Sequence, residues 1–307
     1  MNKKENSAVI KMDEMKAAII KSGYLMELDV TSVLTEAGFV TYMNDTYIDP
    51  DTGKHREIDI SASLTGIIDE SSLDSISARL FIECENNKQP IVLFKDQSSS
   101  SIFMIDRSYD INILGNPSTI HVEDRSMSFH HFTDLLNNHH YSFINPSTQY
   151  CTFHLPKANK ANWIASHSDK QHNTIHSLLI YLEQNISQDK EYYTNTQLGK
   201  GGLNAYIDLV MYLPLIILGG PLYEASFNDS ELKLEAKNHL QIKVERKINK
   251  VSRTDHIDII TRSYLDTYLK YVHDEVEYLL KFIDDNLDIF RSSAKKNSAI
   301  NSNEKLP

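Results

Sequence analysis

Cysteine is nearly missing from this chain: its 307 residues include Cys84, Cys151 and no other. Two thiols cannot build the disulfide framework of a small secreted domain, and their scarcity fits a reducing compartment. Positive charge is also in deficit. Lys and Arg total 31 against 42 Asp and Glu, a net charge of −11 with histidine neutral. That excludes a protein whose whole surface holds nucleic acid or an anionic membrane through basic charge, though not a local basic groove. Long apolar runs are absent. The longest, Leu209–Gly220, is interrupted by Pro214 and falls well short of the roughly 20 residues a membrane-spanning helix needs. The opening MNKKENSAVIKMDEM has no apolar stretch of the kind a secretory signal carries. A soluble, cytoplasmic protein with no membrane partner is expected. No internal repeat is visible, which leaves out solenoids and propellers.

The chain is 41% hydrophobic and 24% charged, and at this size a fold removes roughly 75% of the unfolded surface from water. Residues 1–8 and 291–307 are polar, poor in apolar side chains and expected to lack structure. Residues 9–290 are expected to form one α/β domain, with a stretch at about 96–205 that no pattern assigns. Met12–Lys21 and Tyr24–Ala37 have helical spacing, with Gly38 as the stop. Phe39–Ile48 is β-branched and aromatic, and Asp49-Pro50-Asp51-Thr52-Gly53 is a turn. His55–Leu64 alternates, with Ile58, Ile60 and Ala62 on one face; Gly66–Ser77 is expected as a polar loop; Ala78–Glu85 alternates again. Pro90–Phe94 is short and apolar, which suits a buried strand. Further on, Ser128–Asn138 and Asp169–Gln188 are expected as helices. Strands are expected at Leu209–Leu218, Leu222–Phe227, Leu232–Ala236, His239–Ile248 and His256–Thr261. Ser263–Asn286 closes the chain as an amphipathic helix. Interleaved strands and helices favour an α/β fold.

Four acids form the strongest chemical pattern. Glu83 and Glu85 stand two apart on a strand, so both carboxylates leave one face. Asp59 lies on the polar face of the preceding strand, and Glu27 on the second helix. Hard divalent cations take oxygen ligands, and Mg²⁺ is held by one or two carboxylates with water and substrate phosphate. Taken singly, each of these acids is what a solvated strand or helix face carries. Their context, an acid inside the alternating REIDISA and then E-x-E directly before an apolar strand, is what raises them.

Residues 22–94 resemble the restriction-endonuclease-like PD-(D/E)XK nuclease superfamily, on SGYLMELDVTSVLTEAGF, YIDPDTGKHREIDISA and LFIECENNKQPIVLF. The resemblance implies a central mixed β-sheet flanked by helices and a metal-dependent nuclease, hydrolysing phosphodiester bonds of DNA rather than RNA. It places Glu27 at the family's helical acid, Asp59 at the strand Asp and Glu83 at the acid of the last motif, around Mg²⁺ or Mn²⁺. Glu85 stands where the family has Lys. It serves either as a base or added metal contact, as in some members, or it marks a degenerate site in a protein that binds nucleic acid or a protein partner. Lys88 and Lys95 lie close enough in sequence to stand in for the missing cation. YLPLIILGGPLYEA, VERKINK and HIDIITRS resemble the continuing strands of larger prokaryotic members. A role in prokaryotic defence, as a homodimer or with a partner protein, is what such a family often implies.

Lys243, Arg246, Lys247, Lys250 and Arg253 are the basic run best suited to grip a phosphate backbone, with a charged edge strand as the competing explanation. Lys157 and Lys160 beside Trp163 offer a weaker stacking contact. His121, His130, His131, His139 and His140 lack metal-ligand spacing, and His172 and His176, four apart on a helix, have no further ligand beside them. Gly199-Lys200-Gly201-Gly202 is not a phosphate loop, and Cys84 is expected as packing.

Overall fold

Helix and strand alternate along the chain largely as the periodicities predict. The computed structural model describes residues 10–50, 52–69, 74–95, 112–117, 119–128, 146–156, 162–167, 169–198, 206–228, 231–248 and 251–303. Helices α1 (Met12–Lys21) and α2 (Tyr24–Glu36) lead into β1 (Val40–Ile48), β2 (His55–Asp69), β3 (Asp74–Glu85) and β4 (Ile91–Phe94). Five short strands follow: β5 (Asn112–Asn116), β6 (Thr119–Val122), β7 (Arg125–Ser128), β8 (Gln149–His154) and β9 (Ile164–Ser166). The long α3 (Asp169–Leu198) precedes β10 (Asp208–Leu218), β11 (Leu222–Asn228), β12 (Glu231–Lys237), β13 (His239–Ile248) and β14 (Val251–Thr261). A 3₁₀ turn at Arg262–Tyr264 then opens α4 (Leu265–Asp285) and α5 (Leu287–Asn303).

The main sheet is mixed, in the order β1-β2-β3-β10-β14-β13, with β5 paired to the first part of β10. β3 and β14 run parallel to β10, while β1·β2, β2·β3 and β13·β14 are antiparallel. β10 is central and buried on both sides, so its sequence is an apolar run with no polar alternation. Leu209, Met211, Leu213, Leu215 and Ile217 pack on one face with α2, α4 and α5; Val210, Tyr212, Ile216 and Leu218 pack on the other with α3. Pro214 interrupts this strand between its last pair with β5, Tyr212↔Asn112, and its first pair with β14, Leu215↔Asp258. A strand tolerates a residue without N–H at such a break in the ladder.

A second, five-stranded sheet has the order β12-β11-β4-β8-β9. Two neighbouring strands of the main sheet feed it together. β3 and β10 end their parallel pairing at Glu85↔Leu218, and their continuations pair in parallel again from Ile91↔Leu222. The chain therefore crosses between the sheets twice at one place, just beyond Glu85.

Two expectations are corrected. Gly66–Ser77 is not a loop: β2 runs on to Asp69 and β3 starts at Asp74, making one long hairpin in which the Thr65 and Ser77 hydroxyls bond at 3.0 Å. Polar composition hid the strands, and Gly66 is a packing position, because a Cβ there would lie 2.5 Å from Leu280 Cδ1 on α4. The tail from Arg291 is also structured through α5, where Phe290, Ser293 and Ala294 are fully buried. Ser293 Oγ accepts the His121 N–H at 2.9 Å, and the Asn297 amide donates to Thr119 O at 3.0 Å. Small and polar residues here dock a helix on the β6–β7 hairpin without the apolar density that marks a core helix. Residues 1–8 and the helix expected at Ser128–Asn138, beyond its first residue, lie outside the described residues, as do Lys157, Lys160, His130, His131, His139, His140 and Gly199–Gly202. Among the described residues no helix is long and apolar enough to cross a membrane.

Candidate functional site

Strand pairing creates the site. β2 and β3 keep one register from Ile67↔Ser75 to Ile60↔Ile82, and there β2 leaves its neighbour and pairs with β1 alone. Ile58 joins the apolar cluster under α3 while Ile60 joins the opposite one, so β2 departs from the simple alternation at Asp59. The Cys84 amide on β3 then meets no β2 carbonyl; Asp59 Oδ2 accepts its proton at 2.7 Å. A carboxylate thus does a backbone carbonyl's work where two strands part.

Glu83 and Glu85 leave the α3 side of β3, as period-2 geometry requires. Glu83 shares a hydrogen bond with Asp59 and holds its proton up to about 9, chiefly because it is buried and then because Asp59, Glu85 and Glu27 add negative charge. Burial also raises Asp59, with Glu85 adding to the effect and the Cys84 amide and Lys170 opposing it. Glu27, on the first turn of α2 and 8% exposed, is raised by burial and by Asp59. Its helix is fastened to the end of β3 by the Asn86 amide, which donates to Ser22 O at 3.0 Å, and to the turn before α4 by Arg262–Asp29 at 2.5 Å. Carboxyls from three elements, α2, β2 and β3, therefore act on one another.

Glu85 is treated differently. Its carboxylate is 3% exposed and is held by Lys170 Nζ and by Thr174 Oγ1 (2.5 Å), both from the first turns of α3. Lys170 remains 67% exposed. The sequence pattern missed both residues. Lys170 is 85 positions from Glu85, and its only local signal is its place at the start of a predicted helix. Beyond Glu85 the chain is closely packed: a Cβ on Gly220 would lie 2.5 Å from Asn87 O, so glycine is what lets β10 leave the main sheet beside β3.

Of the residues expected to grip phosphate, Lys88 is exposed in the turn after β3. Lys243 pairs with Glu245 at 3.1 Å, and Arg246 is engaged by Asp255 (2.6 Å) and Glu183 (3.5 Å). Lys247 and Arg253 lie on β13 and β14, the last strand pair of the main sheet, and Lys250 is outside the described residues. His172 and His176 stack ring on ring at 6.4 Å, and Trp163 is 53% exposed. The Cys84 thiol is pushed far above its ordinary range by burial and the surrounding acids, which leaves it inert as a nucleophile.

The donor set is all oxygen, as Mg²⁺ or Mn²⁺ requires. Among the described residues, however, no group of three or more His, Cys, Asp or Glu is arranged to hold a metal ion. Asp59 and Glu83 face each other through a proton, and Glu85 faces Lys170. Fold and site define an α/β protein with a buried acidic centre at the carboxyl end of a central strand. No protein-family model, curated protein or solved structure matches the chain.

Proposed function

We propose that this chain is a metal-dependent nuclease of restriction-endonuclease-like architecture, hydrolysing phosphodiester bonds in DNA at the Glu27, Asp59, Glu83 and Glu85 centre. The observation that carries the reading is the convergence of acids from α2, β2 and β3 where β2 leaves β3. Asp59, Glu83 and Glu27 are the residues that would hold Mg²⁺ or Mn²⁺. The ion's chemistry would be to polarise the phosphate and lower the pKa of a water. Asp59 is oriented by the Cys84 amide. Glu85, fixed by Thr174, orients the attacking water or takes its proton. Lys170 meets the negative charge of the phosphate and supplies from α3 the cation that E-x-E lacks. Lys88 and Lys243, each at least partly exposed, are placed to contact the backbone, and Lys247, Lys250 and Arg253 belong to the same basic run. A place in prokaryotic defence, in the cytoplasm, follows from the same resemblance.

A specific observation favours a second reading. Glu85 is closed into an ion pair, and no described group is arranged for a metal, which suits a nuclease-fold subunit that binds nucleic acid or protein without cutting. Purified protein incubated with supercoiled plasmid, linear duplex, single-stranded DNA and RNA in Mg²⁺ or Mn²⁺ decides between them. Cleavage that Asp59→Asn abolishes supports the nuclease. Failure on every substrate leaves the binding subunit. Glu85→Lys separates them again, since a working Glu85 loses activity on substitution and a degenerate site gains it.

A further inference from the structure

We infer that β12 is the interface through which two copies of this chain pair, antiparallel and edge to edge. This rests on none of the acidic-site residues. β12 ends the five-stranded sheet: one edge bonds β11 from Leu222↔Lys237 to Asn228↔Glu231, and no described strand bonds the other. From Glu231 to Ala236 every residue is exposed, including Leu232 at 57% and Leu234 at 53%. Edge strands are ordinarily protected by bulges, proline, cover or repelling charge. β12 has an unbroken register, no proline and charges that alternate in sign.

The charge pattern names the occupant. Glu231, Lys233, Glu235 and Lys237 share one face, and Leu232, Leu234 and Ala236 the other. A two-fold axis through Leu234 sets Glu231 against Lys237 of the second copy and Lys233 against Glu235 of the second copy. Every directly opposed charged pair is then of opposite sign. On the other face Leu232 meets Ala236 of the second copy, and Leu234 meets its own counterpart. Sliding by two residues sets Lys233 against itself or Glu235 against itself, and sliding by one sets charges against leucines, so the strand specifies its own register. An isologous contact needs this self-complementarity, which an unrelated strand has no reason to match. Leu234 and Leu232 stand in register with Ala225 and Phe227 of β11, and Ala225 packs with Val92 and Cys151. Pairing therefore joins two small apolar clusters into one continuous face. Lys237 already lies 2.9 Å from Glu235 and 3.7 Å from Glu224, and the second copy's Glu231 extends that network.

Sedimentation velocity on the full chain tests this. Wild type is expected to dimerise, and Lys233→Glu and Glu235→Lys alone each to weaken the dimer about 10-fold or more, because each opposes like charges twice. Mixing the two variants, or combining both changes in one chain, restores every opposed pair and is expected to recover the dimer. At concentrations low enough for wild type to be monomeric, melting of both single variants should match it, since the sites are exposed. A wild type that stays monomeric at all concentrations overturns the proposal. So does a dimer that the single reversals leave intact, including one formed through the exposed apolar residues Met12, Met15 and Ile19 of α1.

Discussion

Two buried acidic centres lie at separate places along the same sheet, and they are built on opposite plans. Asp258 of β14, 4% exposed, sits on the α4 side among groups that complement it: His239 Nε2 at 2.8 Å and Gln241 Nε2 at 3.3 Å on Oδ1, and the Tyr268 hydroxyl at 2.8 Å on Oδ2. Asp59, Glu83 and Glu27 have mainly one another. Carboxylates with a full set of partners hold a structure together, whereas carboxylates that repel and share protons weaken it. A fold retains such an arrangement where it serves a function, which is why the chemistry is proposed for this centre and not for the satisfied one.

The comparison breaks most visibly at Asp258. Asp258→Ala removes the acceptor shared by a largely buried histidine and a fully buried tyrosine, and is expected to lower stability by about 3 kcal/mol, read as a shift of the urea midpoint. Asp59→Asn, of similar volume in the other centre, is expected to change it by less than about 1 kcal/mol. If the two losses are equal, the distinction between the centres fails.

Much of this contrast was legible in the sequence, but not all of it. Glu83 and Glu85 stood out because E-x-E fixes their shared face by strand period, which is a local property; Asp59 stood out within REIDISA although β2 departs from alternation there, and Glu27 on α2 belongs to neither motif. Asp258 lies in an equally acidic strand, HIDIITRS, and nothing local marks it as satisfied, since its partners come from β13 and α4. Lys170 and Thr174 escaped for the same reason. They meet Glu85 only after α3 folds across the sheet, and side-chain pairing over 85 positions has no periodicity to read. The long β2–β3 hairpin was hidden because serine and aspartate crowd its outer part, although Ile76 there is fully buried, and α5 because it docks largely through small and polar residues. The α/β class and the central apolar strand were plain, because burial on both faces leaves a run with no alternation.

Glu85 is the intermediate case, a buried acid with one strong partner that is itself exposed. Lys170→Met is expected to cost about 1 kcal/mol, because Glu85 keeps Thr174 and the lost ammonium was largely solvated. Under the nuclease reading the same variant lowers cleavage about 100-fold, a loss out of proportion to its stability effect. A purely structural Lys170 would move stability alone.

The smallest expected change in stability sharpens the comparison furthest. Glu83→Gln keeps the shape and removes the need to bind a proton that the unfolded chain has given up near pH 7, so it is expected there to be neutral or stabilising by up to about 1 kcal/mol, and under the nuclease reading cleavage is lost. The sign follows from linkage. Glu83 loses its proton near 4.5 in the unfolded chain and near about 9 in the fold. Between those values the folded protein binds the extra proton, and its stability falls as pH rises. Below that window the unfolded chain is protonated too, and the penalty vanishes; above it both forms are ionised and the penalty is constant. Urea unfolding from pH 5 to pH 9 should therefore show wild type losing stability relative to Glu83→Gln, with the difference growing toward alkaline pH. Parallel curves would mean that Glu83 is ionised throughout, and that the two centres of this sheet differ in their partners without differing in strain.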